Sequence, residues 1–167
     1  EKTTLVEETT SLVTNWIYDS RSDPIDNIQT HTATVQASDY DTKAKVNSEF
    51  TIACQTTEDD LRIVISATYP IKTNSFSSDG PMARYYIKID QNEPLSGIAR
   101  AASNNTVIIL DRFQSKAVID QLKSDSKVIF QMPSVKDTLM NYAADLTGAT
   151  TVIDKISKNC APNPAVK

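Results

Sequence analysis

The sequence predicts an α+β fold, a mostly antiparallel, sandwich-like β-sheet domain with two short helices in its C-terminal half, stapled by one disulfide. Three observations lead to the sheet and the helices. In four stretches between residues 31 and 90 apolar side chains recur at every second position, the period of strands with one buried face. After residue 110 the spacing changes twice to threes and fours, in RFQSKAVIDQLK and in ATTVIDKISKNC, as one face of a helix requires. Helices do not alternate with the strands, so the crossovers of a doubly wound parallel sheet are missing.

Taken in order, HTATVQA sets Ala33, Val35 and Ala37 against Thr32, Thr34 and Gln36, and FTIAC sets Phe50, Ile52 and Cys54 against Thr51 and Ala53. Cys54 is therefore expected to point inward. After the acidic turn TTEDD, LRIVISAT places Leu61, Ile63, Ile65 and Ala67 on one side, so the two runs read as a hairpin. The run KTNSFSSDGPM, residues 72-82, mixes Asn, Ser, Asp, Gly and Pro and predicts an exposed loop. ARYYIKID resumes the strand period, with Tyr85, Ile87 and Ile89 inward.

Beyond TVIIL, Asp111 can cap a helix starting at Arg112, and Gln114 stands where the reciprocal half of a capping box reaches back. Phe113, Ala117, Val118 and Leu122 are expected to share its buried face. KVIFQMP returns to strand and stops at Pro133. TLMNYAADL sets Met140, Tyr142, Ala144 and Leu146 on one face, and a last helix runs from Thr147 or Gly148 to Asn159. Its stripe of Ala149, Val152, Ile153, Ile156 and Cys160 ends in a thiol.

A chain of 167 residues, 40% hydrophobic and 23% charged, fits one globular domain, assigned here to residues 1-160. Such a domain buries roughly two thirds of the surface its unfolded chain exposes. The tail APNPAVK, residues 161-167, carries two prolines and is expected to be disordered. A net charge of -4 gives no basic footprint for nucleic acid, and no apolar run approaches the ~20 residues of a membrane span. The chain starts at Glu1 without methionine or an apolar leader, as a chain does after a signal peptide has been removed or after trimming.

Cys54 and Cys160 are the two cysteines, with neither redox nor metal-ligand spacing between them. A disulfide is the natural reading, and two unrelated buried thiols in a reducing compartment are the alternative. If bridged, the closed loop is on the order of 100 residues, for which chain entropy gives ~4 to 5 kcal/mol.

Candidates for chemistry are few. His31 is the single histidine and lies in a Thr-rich strand, and no GxSxG elbow supplies a serine to it. Carboxylates cluster at Asp23 and Asp26, at Asp39 and Asp41, and at Glu58, Asp59 and Asp60, but none has calcium-loop spacing. Three glycines form no phosphate cradle. Asn104 in NNT matches a glycosylation acceptor, and Trp16, Tyr18, Tyr85 and Tyr86 are expected on core or sheet faces. The expectation is a chain that is not an enzyme, with no catalytic residues, no metal and no cofactor.

The order of landmarks resembles the VasI/TagO-like family of type VI secretion-associated periplasmic proteins. Those landmarks are Trp16 followed by SRSDPIDN, the strand FTIAC, the strand YYIKID, the helix FQSKAVIDQL and the ending DLTGATTVIDKISKNC, across residues 16-160. The resemblance implies an exported, disulfide-stapled envelope protein with a β-rich fold and no established catalytic residues. The chain departs from the pattern in KTNSFSSDGPM and in NEPLSG, where relatives carry a tryptophan and a serine and only Ser96 stands here. The functional expectation is a periplasmic or secreted binding or accessory module. Its partner would be an envelope protein or a cell-wall component, met without nucleic acid or membrane insertion. Inhibition of a secreted or cell-wall hydrolase is the alternative. Lys72, Asn74, Phe76 and Asp79 of the 72-82 segment are the candidate partner-binding residues.

Overall fold

A computed structural model describes residues 15–56 and 60–160 of the chain. Ten strands and two helices follow in sequence: β1 (Ile17–Ser22), β2 (Gln29–Asp39), β3 (Lys45–Gln55), β4 (Arg62–Ser66), β5 (Thr73–Ser77), β6 (Gly80–Ile89), β7 (Leu95–Ala102), β8 (Val107–Ile109), α1 (Arg112–Ile119), β9 (Lys127–Pro133), β10 (Leu139–Asp145) and α2 (Ala149–Cys160). Every pairing between strands is antiparallel. The order β2-β10-β9-β6-β7-β8-β4-β3, with β3 pairing back onto β2, closes the sheet into a barrel. Closure leaves ring strands few free edges, the usual hazard of open sheets.

The alternation read from the sequence is the alternation that fills the barrel. Phe50, Ile52, Ile63, Ile65, Ile87, Ile89 and Phe130 are all completely or almost completely buried. The register carries one inward row across the ring, with Val35 opposite Phe50, Phe50 opposite Ile65 and Ile65 opposite Ile108. Phe130 joins that row to Tyr142, its ring 6.4 Å from Phe50 and 5.4 Å from Tyr142. Offset aromatic contacts of this kind add to the area they bury.

β2 pairs with β10 only at Ser38 and Asp39, after an irregularity between Gln36 and Ser38. Its N-terminal half turns that edge to β1 instead, from Gln29 to Thr34. There α2 packs against β2 and β3, burying Ala149, Val152, Ile156 and Cys160, while Ile153 is half-buried. The Cys54–Cys160 disulfide fixes this contact, with the two Cα atoms 6.1 Å apart and 106 residues of separation. Trp16, 5% exposed, donates its indole N–H to the Thr147 carbonyl at 3.0 Å and so ties the approach to β1 to the start of α2.

Asp111 caps α1 through the expected capping box, accepting from the Gln114 N–H while the Gln114 side chain accepts from the Asp111 N–H. The buried face of α1 differs from expectation. Ser115 and Val118 are buried, with Leu122 just beyond the helix, whereas Phe113 and Ala117 are exposed. The cause is Ser115, whose hydroxyl accepts the Ile63 N–H at 2.9 Å and donates to the Leu110 carbonyl, which rotates the helix so that the hydroxyl meets β4.

Three further departures concern strands. β1 and β7 lie where no strand is predicted, and residues 73-77 of the expected loop form β5. β1 is exposed throughout and shows no apolar period. β7 buries only Ala99 and Ala101, too small to mark a face against Ile98 and Arg100 on the other side. Within it Gly97 leaves room for Tyr85, because a Cβ at this position would stand 2.8 Å from the Tyr85 hydroxyl. The tail expected at 161-167 lies outside the described residues, as do Glu58 and Asp59.

Candidate functional site

The segment 72-82 carries the candidate binding residues, and its conformation follows from its turn chemistry. Ser78 and Asp79 connect β5 to β6, with Ser77 paired to Gly80. Gly80 has φ +114, a conformation that L side chains rarely adopt. The Ser77 hydroxyl accepts the Asp79 N–H at 3.1 Å and fixes the turn from within. At the base, Ile71 bridges to Ser134 and the Lys72 N–H donates to the Pro133 carbonyl at 2.8 Å. The result is a β-hairpin rather than an irregular loop, with Thr73 half-buried and the other β5 residues exposed.

Phe76 is 81% exposed and stands opposite Pro81. β5 pairs only with β6, so among the described residues its other edge has no strand partner. An apolar ring beside an open strand edge offers both a hydrophobic anchor and a row of backbone donors and acceptors.

The hairpin also separates two concavities. A cavity of about 710 Å³ lies on one side, its lining including Val64, Ile98, Ile109, Asp79, Met82 and Arg100. A second, of about 400 Å³, is lined by Lys72, Asn74, Arg84, Tyr86, Asp137, Thr138 and Leu139. Of the predicted residues, Asp79 thus lines the larger cavity, Lys72 and Asn74 line the smaller, and Phe76 lines neither. Lys72 is paired with Asp137 in an exposed ion pair.

Arg84, Arg100, Tyr86 and Leu139 were not among the predicted site residues. The signal for the first and third was present in the outward positions of ARYYIKID. Leu139 and Arg100 come from distant parts of the chain, and no local pattern brings them to the hairpin.

The other candidates have structural work to do. His31 is half-buried in β2, in register with Ser20 and Cys54, and the Cys54 sulfur is held in the disulfide. Asp23 and Asp26 accept backbone N–H groups of Ile25 and Ile28 in one turn. Asp39 accepts from the Thr42 N–H, the Asp41 N–H and the Thr42 hydroxyl. The Thr42 N–H leads in holding its carboxyl below the usual value. Asp60 faces Arg112 at 3.7 Å. Among the described residues, no group of three or more His, Cys, Asp or Glu is placed to hold a metal ion. Asn104 is exposed between Ser103 and Asn105, and all three have left-handed φ of 51 to 61°.

Comparison with protein families, with curated proteins and with solved structures found no match. Among the described residues, no helix is long and apolar enough to cross a membrane. The disulfide is of the kind that persists in oxidising surroundings.

Proposed function

We propose that this chain is a non-enzymatic, exported envelope protein, periplasmic or secreted, that acts as a binding or accessory module. The observation that carries the reading is the β5–β6 hairpin, whose strand edge is open and whose Phe76 is 81% exposed, on a barrel clamped by a disulfide. A large aromatic ring beside an open strand edge gives a partner strand an apolar anchor, and such an edge is normally blunted by charge or proline. β5 itself carries neither. The likeness to the VasI/TagO-like landmarks supports a place beside a secretion apparatus, with an envelope protein or a cell-wall component as partner.

A photoreactive phenylalanine analogue at position 76 tests the reading. Irradiation in intact cells should give a discrete adduct with an envelope component, and the same analogue at Lys123, outside the hairpin, should give none. Equal labelling from both positions would end the proposal.

A second reading, an inhibitor or immunity-like protein that blocks a secreted or cell-wall hydrolase, is favoured by the narrow tip. A two-residue turn carrying Asp79 next to Phe76 is slim enough to enter a cleft. Deleting residues 74-80 would remove most of β5 and its ladder, so point changes are the better probe. Under this reading Phe76→Ala with Asp79→Ala abolishes inhibition of cell-wall hydrolysis while the melting temperature is unchanged.

A further inference from the structure

We propose that the smaller cavity beside the hairpin binds the free α-carboxylate of a peptide whose last side chain is small and apolar. The inference rests on the binding-module reading and gives its partner a chemistry. The cavity exists because one edge of β6 changes partner. β7 occupies the other edge from Met82 to Ile87, so β5 and β9 must share this one. The β5 ladder ends at Ala83 and the β9 ladder begins at Tyr86, which leaves Arg84 and Tyr85 at a fork. Arg84 and Tyr86 project outward there, while Tyr85 and Ile87 turn into the core.

Charge at the fork is unbalanced. Lys72 is neutralised by Asp137, but the Arg84 guanidinium makes no hydrogen bond or ion pair with any described residue. The lining therefore carries one uncompensated positive charge in a chain whose net charge is -4. A guanidinium presents parallel N–H groups that match a carboxylate in two-point contact. Phosphate would call on both cations, and one of them is already engaged.

The remaining lining fits the rest of a peptide end. The Asn74 amide makes no side-chain hydrogen bond with a described residue and can meet a peptide N–H or carbonyl. Leu139, 55% exposed, and Pro133 form an apolar wall with the Tyr86 ring. The Thr138 hydroxyl is already bonded to the Ser134 hydroxyl at 2.8 Å. With so few uncommitted neutral groups, a sugar acid would leave most of its hydroxyls unmatched, whereas a terminal residue offers one carboxylate, one amide and one apolar side chain. A volume of about 400 Å³ accommodates such a residue and its neighbour.

The test is a titration of the intact protein with N-acetyl-alanyl-alanine, followed by backbone amide chemical shifts. Saturable shifts are expected at Asn74, Arg84, Tyr86 and Leu139, with the C-terminal amide of the same peptide binding at least about tenfold more weakly. Arg84→Gln should weaken the free acid by about tenfold at unchanged melting temperature, and Arg84→Lys should restore only part of it. Equal binding of acid and amide would overturn the proposal, as would shifts that do not saturate. Glucuronate or inorganic phosphate binding as tightly as the peptide would also overturn it, by showing a general anion site. If the adduct at position 76 forms while these titrations fail, the inference falls and the binding-module reading stands.

Discussion

Two hairpins of this barrel use the same backbone ladder and bury opposite amounts of side chain. β3 and β4 place Phe50 opposite Ile65 and Ile52 opposite Ile63, all fully buried. β5 and the start of β6 place Ser75 opposite Met82 and Phe76 opposite Pro81, with the β5 side exposed. The first hairpin is held by what its side chains exclude from water. The second is held by hydrogen bonds along one edge and by a turn that Gly80 permits, so its side chains are free to meet something else. Stability and accessibility have been assigned to different hairpins.

The sharpest way to break that contrast is to empty the first hairpin. Phe50→Ala removes a ring packed against Phe130 and should cost about 3–5 kcal/mol in chemical denaturation. A loss below about 1 kcal/mol would mean that the interior collapses around the gap. Next in size is the clamp that holds α2 to the inner hairpin. Cys160→Ser and Cys54→Ser should each cost about 2–5 kcal/mol and should match one another, since each removes the same link. Unequal losses would assign one sulfur a role apart from the other.

A smaller effect is set by pH at Tyr85, on the inward face of β6. Burial first, and the Asp111 carboxylate second, push the Tyr85 phenol up to about 12 from an ordinary value of 10.0. A raised folded value favours the neutral phenol, so its contribution is fully present below pH 10.0 and is lost as pH rises toward about 12. The melting temperature of the wild-type chain should therefore fall more steeply across that window than that of Tyr85→Phe. A wild-type minus Tyr85→Phe difference absorbance in which tyrosinate appears at the same pH in folded and denatured protein would contradict the assignment. The smallest expected change is at the outer hairpin, where Phe76→Ser should alter stability by no more than about 0.5 kcal/mol while reducing partner binding. A large loss of stability would show that the ring supports the hairpin instead of serving a contact.

Legibility in the sequence tracks burial closely. The inward sets of β2, β3, β4, β6 and β10 are legible because each strand has one face in the core, which writes a period of two into the residues. The cap of α1 was readable for a different reason: Asp111 and Gln114 satisfy each other within one turn. Its buried face was not, because a serine reads as a surface residue until the Ile63 N–H it serves is known. β1 and β5 were missed because strands with exposed faces carry no apolar signature. Of the candidate site, the turn residues and exposure of 72-82 are legible but its hairpin is not, and Arg100 and Leu139 reach it only through strand pairings.

The sequence by itself determined which residues of β2, β3, β4, β6 and β10 face inward, where α1 begins, and that Cys54 and Cys160 sit on apolar stripes able to meet. Those outcomes depend on local periods and on side chains reaching their near neighbours. The tertiary structure alone decided that β10 closes onto β2 and that one edge of β6 passes from β5 to β9, with a cavity left at the change. These depend on backbone hydrogen bonds between segments far apart in the chain, and a backbone donor is the same in almost every residue, so no choice of side chain announces its partner.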